Sequence, residues 1–157
     1  NKVLSNWETF CNESYSFGDR IFNCWKEGGH GTVNMEKAVA QSCNIYFYQA
    51  IQSIPLEKWV STCRNFGFGK VTRIDLPEEK SGLIPDRDYM NKRHGKWGWS
   101  KGAMLNLALG QGEILVTPLQ LLQFANLIAT HGYTNKLHFQ YGNKELIIMC
   151  IIELVII

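Results

Sequence analysis

Apolar positions recur along the chain in three helix-like runs. In the first, Asn34 stands before Met35, Ala38 and Val39, whose spacing places them on one helical face behind a residue type that caps helix N-termini well. The second opens at Pro55, suited by its fixed φ to a first helical position, and runs through LEKWVSTCRNF to Gly67, a natural C-terminal residue. The third, VTPLQLLQFANLIATHG, is the most strongly punctuated. Thr117 is its N-cap, Pro118 follows, Gln120 completes a capping box and Gly132 terminates it. Between these runs lie FGFGK, DLPEEKSGLIPDRDY and LGQGE, rich in Gly, Pro and polar residues, which read as loops and short extended pieces. Strand-like patterning is confined to residues 71–76 and to the tail LIIMCIIELVII, which is shorter than the ~20 residues a membrane-spanning helix needs and is interrupted by Glu153.

The stretch KAVAQSCNIYFYQ breaks its own helical pattern at Ser42-Cys43-Asn44. Residues two apart on an α-helix project ~200° apart, so Ser42 and Asn44 serve one site only if the helix is interrupted between them. The sequence permits this: a short amphipathic helix to about residue 41, a connector, then the heavily apolar IYFYQAIQSI. Ser and Asn equally suit plain helix capping, so the residues alone leave both readings open.

Composition narrows the function classes. A chain of 157 residues with 45% hydrophobic content is long enough for one globular core, and no internal repeat divides it. A formal net charge of +2 gives no electrostatic reason for a nucleic-acid partner. The most basic stretch, RDYMNKRHGKWGWSK, reads as a solvated loop, with a polyanion or membrane-surface patch as the alternative.

Three segments in order, GHGTVNMEKAVAQSCNIYFYQ, FGFGKVTRIDLPEEKSGLIP and LALGQGEILVTPLQLLQFANLIATHG, resemble the transpeptidase domain of class B penicillin-binding proteins of the elongation type, over roughly residues 17 to 139. The resemblance implies the α/β penicillin-binding-protein/β-lactamase-like fold, with its helix-rich portion in this chain and its antiparallel sheet partly missing. Residues 1–139 would form part of the domain, on the S-x-N side of the helical subdomain, and residues 140–157 an apolar tail of separate character. That family's site uses S-x-x-K, S-x-N and K-[ST]-G. Ser42-Cys43-Asn44 matches the second, so Ser42 would relay protons between the family's lysine and the leaving group, and Asn44 would hydrogen-bond the substrate's peptide amide. No serine here is followed by lysine three positions later, so the nucleophile is expected upstream of Asn1, in a longer protein, and this chain alone is expected to be inactive. Lys80-Ser81-Gly82 matches the third motif as a string but follows IDLPEE in a turn-rich loop, whereas the family's K-[ST]-G lies on a sheet strand well after the TPLQL helix, and it is read as a coincidence.

The resemblance further implies a peptidoglycan D,D-transpeptidase of cell-wall elongation, acting on stem peptides, acylated by β-lactams, associated with elongation-complex membrane proteins, and placed on the periplasmic side of the inner membrane. The alternative is a non-catalytic, zinc-stabilised binding module.

Five cysteines add a further element. The series Cys11-x12-Cys24-x5-His30-x12-Cys43 supplies Cys₃His, a common closed donor set for structural zinc, and the glycines at 28, 29 and 31 would let the backbone bring His30 inward. Some family members resemble this chain in placing a metal site beside S-x-N, at positions matching Cys24, His30 and Cys43, with Cys11 as the fourth ligand. A Cys11–Cys24 disulfide, suited to an oxidising compartment, and unligated buried thiols are the competing readings. Cys63 and Cys150 read as packing residues. Gly110-Gln111-Gly112 lacks a nucleotide-binding continuation; by resemblance Gln111 would border the substrate. Arg73 stands where the family's GxGxxTGIDLP pattern has glycine.

Overall fold

The computed structural model describes residues 6–138, apart from Trp97, and 146–148. Contacts divide the chain into two compact units: residues up to 56 with 87–112, and 57–86 with the described residues from 113 onward. Expectations for Trp97, Cys150 and most of the tail lie outside the described residues.

The first unit opens with strands that the apolar pattern does not announce. β1 (Thr9–Cys11) pairs antiparallel with β4 (Gly31–Val33), Cys11 opposite Gly31. Between them, β2 (Ser14–Phe17) and β3 (Arg20–Asn23) form a hairpin closed by Gly18-Asp19, with Gly18 at φ +61°. Gly followed by Asp between two extended runs is a hairpin signal, but each strand has only four residues, and of the two only β2, Ser-Tyr-Ser-Phe, alternates.

Helix α1 (Met35–Ala40) starts where predicted, the Asn34 side chain accepting from the Lys37 N–H. Ala38 is fully buried, but Val39, expected on the same face, is 64% exposed, because six residues make less than two turns and leave room for only one inward position. α2 (Asn44–Ile51) is the centre of the unit. Its Tyr46 packs on Trp7 with ring centroids 4.8 Å apart, Phe22 and Tyr15 of the hairpin lie against Tyr48, and the Thr9 hydroxyl donates to the Gln49 side chain at 2.7 Å. Ile45, Tyr46, Tyr48 and Ile51 are all buried.

The basic stretch read as a solvated loop contains helix α4 (Arg87–His94). Only Met90 of that helix is buried, so no apolar stripe marks it; its order comes from Trp99, whose indole donates to Asn91 at 2.8 Å and lies 5.5 Å beneath the Arg87 guanidinium. α5 (Lys101–Ala108), capped by Ser100, follows and packs Met104, Leu105 and Leu107 inward. This helix too is absent from the sequence pattern.

In the second unit, α3 (Leu56–Asn65) follows Pro55, and α6 (Pro118–Ala129) has the predicted capping box: Thr117 accepts from the Gln120 N–H at 3.2 Å, and Gln120 accepts from the Thr117 N–H at 3.0 Å. Phe124 of α6 packs against Phe66 and Phe68. β5 (Tyr133–Asn135) pairs with β6 (Leu146–Ile148), so the tail contributes a strand as expected. Residues 71–76, expected as a strand, are irregular. The N–H groups of Thr72 and Arg73 are taken by the Glu79 carboxylate at 2.6 and 2.8 Å, leaving no ladder to form. Lys80-Ser81-Gly82 sits in a loop: the Gln120 amide donates to the Lys70 and Ser81 carbonyls at 2.6 and 2.7 Å, and a Cβ at Gly82 would meet the Leu115 carbonyl oxygen across the Leu83–Leu115 bridge.

Candidate active site and metal centre

The helix break that a joint role for Ser42 and Asn44 demands is present, and it is a Schellman turn. α1 ends at Ala40; the Ser42 N–H donates to Val39 at 3.3 Å and the Cys43 N–H donates to Ala38 at 2.9 Å, with Ser42 left-handed at φ +53°. That conformation favours glycine, so a serine there carries strain of about 1–2 kcal/mol. Cys43 then becomes the N-cap of α2 with no side-chain capping bond, and Asn44 is the first residue of that helix. Neither Ser42 nor Asn44 uses its side chain as a cap. The Ser42 side chain is exposed, while the Asn44 amide donates to the Asn23 carbonyl at the end of β3, at 3.2 Å. Trp25, next to the hairpin, donates its indole N–H to the Gln41 and Ser42 carbonyls at 3.1 and 2.9 Å.

Behind this turn the four predicted donors converge. Cys11, Cys24, His30 and Cys43 are all buried, and one donor atom from each lies within 4.8 Å of the others. Nδ1 of His30 faces the sulfurs of Cys24 and Cys11 at 3.4 and 3.6 Å. The β1–β4 register brings Cys11 beside the His30 segment, and Gly29 makes the approach possible: at φ +75°, a Cβ there would be driven into the Cys11 carbonyl and stand 2.6 Å from the Glu13 nitrogen. No disulfide joins these thiols.

The surrounding groups act on the donors in different directions. Burial opposes ionisation of the Cys24 thiol, but main-chain N–H groups of Lys26, Asn44 and Ile45 and the Cys11 thiol outweigh it, and the thiol is held below its ordinary value. Burial pushes the Cys43 thiol up to about 12. His30 is held below its ordinary value by burial and then by the charges of Lys26 and Lys37, which favours the neutral imidazole that a metal requires. The half-buried Cys63 thiol, on α3 in the second unit, is pushed up to about 11 by burial.

Gln111 follows α5 as an exposed residue whose main-chain N–H donates to Asn106 at 3.0 Å; no hydrogen bond joins its side chain to Ser42 or Asn44 among the described residues. A cavity of ≈ 580 Å³ that no sequence motif announces lies beside the β2–β3 hairpin, lined by Phe17, Asp19, Arg20, Phe22, Trp99 and Asn106. The GD turn is the one local sign of the hairpin that builds its wall.

A profile of the penicillin binding protein transpeptidase domain matches residues 1–146. The chain belongs to this family. Within it, the chain is 41% identical over 112 residues to the peptidoglycan D,D-transpeptidase MrdA of Acinetobacter baumannii, a match covering 71% of this chain and 16% of that protein. Its fold superposes on the penicillin-binding protein PBP2 of Helicobacter pylori with a TM-score of 0.86 at 37% identity, covering 94% of this chain and 28% of that one. A complex of PBP2 with MreC from the same organism gives 0.84 at 38%, covering 91% and 27%. This penicillin-binding protein chain therefore spans a minor part of the length of the relatives it matches. Its helices and small sheets are a portion of the transpeptidase fold, as the sequence resemblance implies. No described helix is long and apolar enough to cross a membrane.

Proposed function

We propose that this chain is the S-x-N portion of a peptidoglycan D,D-transpeptidase of cell-wall elongation, a serine acyltransferase that cross-links stem peptides and is acylated by β-lactams. The observation that carries the reading is the Schellman turn itself. It leaves an exposed Ser42 in the turn and the Asn44 amide on the first residue of α2, on either side of the helix break that a shared role requires. Ser42 passes protons between a lysine supplied by the rest of the protein and the leaving group. The Asn44 Nδ2 is held by Asn23, which directs Oδ1 as an acceptor toward a substrate peptide N–H. Gln111 borders the substrate. The full protein works on the periplasmic side of the inner membrane, alongside elongation-complex membrane proteins. Residues 1–139 carry the domain portion, which is inactive alone because covalent catalysis needs the nucleophile.

Zinc fits the cysteine–histidine cluster. Zn–S bonds of ~2.3 Å and Zn–N bonds of ~2.0–2.1 Å at tetrahedral angles place N and S about 3.6 Å apart. The His30 Nδ1 distances of 3.4 and 3.6 Å match that spacing. Cys11, Cys24 and Cys43 as thiolates with neutral His30 would hold Zn²⁺ with one net negative charge, offset by Lys26 and Lys37, whose charges reach His30. Bound there, the ion supplies folding free energy and fixes the residue between Ser42 and Asn44.

Fluorescent penicillin tests the assignment. The full-length protein should label, its Ser42→Ala variant should label far more slowly, and this chain alone should not label. Labelling of the isolated chain would overturn the view that the nucleophile lies elsewhere.

A further inference from the structure

Trp25 belongs to neither the S-x-N motif nor the donor set, yet it touches both. Its ring meets the His30 imidazole edge-on, with centroids 5.4 Å apart and planes at 70°. Its indole N–H lies between the Gln41 and Ser42 carbonyls, at 3.1 and 2.9 Å. Both carbonyls lie beyond the last residue of α1, where a helix end leaves its acceptors without intrahelical donors. The side chain is 65% exposed, an unusual setting for a large aromatic whose only polar atom is fully used.

We infer that Trp25 is a positioning residue for the acyl-transfer reaction: its N–H holds the Gln41 and Ser42 carbonyls and so keeps that serine left-handed. The inference rests on the proposed role of Ser42. The physical case is that a left-handed serine relaxes whenever the adjoining peptide planes are free to rotate. The Schellman bonds restrain the N–H groups of Ser42 and Cys43; the indole restrains the carbonyls of Gln41 and Ser42. The four together fix both peptide planes flanking Ser42. Because Trp25 adjoins Cys24 and rests on His30, the indole is anchored by the same loop that carries two of the four donors, and the serine is aligned to the metal centre through one side chain.

The test uses the full-length protein and a β-lactam, separating the acylation rate constant from the binding constant. Trp25→Phe keeps a ring against His30 and removes the N–H. It should lower the acylation rate constant roughly five- to tenfold, the factor one net hydrogen bond sets. The binding constant and zinc content should stay near wild type, the melting temperature should fall by only a few degrees, as loss of one hydrogen bond dictates, and the pH profile of acylation should shift because the proton relay is displaced. Trp25→Ala should also lower zinc retention. Benzothienylalanine placed at position 25, which keeps the bicyclic ring and replaces N–H by sulfur, repeats the measurement where Trp25→Phe folds poorly, and should slow acylation to the same extent. Ser42→Ala runs beside them. If it is impaired while the two N–H-deleted proteins acylate at the wild-type rate with an unshifted profile, the role of Trp25 is wrong and that of Ser42 stands. If Ser42→Ala acylates normally, the underlying assignment itself fails.

Discussion

The main-chain N–H of Ser42 donates to the Val39 carbonyl at 3.3 Å, and this bond holds a serine at φ +53°, in the helix-ending position where glycine is the usual residue. A serine kept there against its own conformational preference is a local cost, and strain of this kind gathers at functional positions.

Replacing it should therefore separate stability from activity. Ser42→Gly removes the left-handed penalty and should raise stability by up to ~1 kcal/mol, part of the gain being offset by glycine's larger loss of backbone entropy. The same change deletes the hydroxyl and should sharply slow penicillin acylation of the full-length protein. Urea denaturation and a labelling time course check the two halves.

Metal content gives the next expectation. Reduced protein should carry about one zinc ion per chain, the count set by a single four-donor site. Cys24→Ser, which substitutes a harder and more basic donor, should lose most of it. Removal by a chelator should lower stability on the order of several kcal/mol, since a structural site adds binding free energy to folding. Elemental analysis and thermal melts with and without chelator measure both.

Two neighbouring glycines should differ in their tolerance of alanine. Gly28 and Gly29 are both left-handed, at φ +71° and +75°, but a Cβ at Gly28 meets nothing within 4 Å, whereas one at Gly29 collides with the β1 main chain. Gly28→Ala should cost about 1 kcal/mol, the conformational term alone. Gly29→Ala should cost well beyond that and lower zinc affinity, because Cys11 must move away from His30. Denaturation midpoints and competitive zinc titration compare the pair.

Glu79 supplies a pH dependence. Burial opposes its charge, but the Thr72 side chain and the N–H groups of Thr72, Arg73 and Ile74 outweigh that and hold the carboxyl below its ordinary 4.5. A depressed folded-state value means that the stabilisation is fully present above about pH 4.5 and is lost as the pH falls through the folded-state value. Glu79→Gln should cost about 1 kcal/mol at pH 7. The difference from wild type should shrink as the pH falls below 4.5 and through the folded-state value, which denaturation across an acid pH series would reveal.

What the sequence by itself determined is local. The capping box of α6, the Asn34 cap of α1, the requirement that Ser42 and Asn44 be separated by a break, and the donor chemistry of the Cys11, Cys24, His30 and Cys43 side chains all follow from residues within a few positions of one another or from side-chain chemistry. The ordered motifs also identified the family. Tertiary structure decided what depends on distant partners. Cys11 and His30 meet because the β1–β4 register sets Cys11 opposite Gly31, and those strands are too short to be read from alternation. α4 exists without an apolar stripe because Trp99 supports it from outside, and residues 71–76 fail as a strand because Glu79 captures their N–H groups. The left-handed serine and the indole across its carbonyl were equally hidden. Propensity would place glycine at that turn, and only packing that joins Trp25, His30 and the end of α1 holds a serine there.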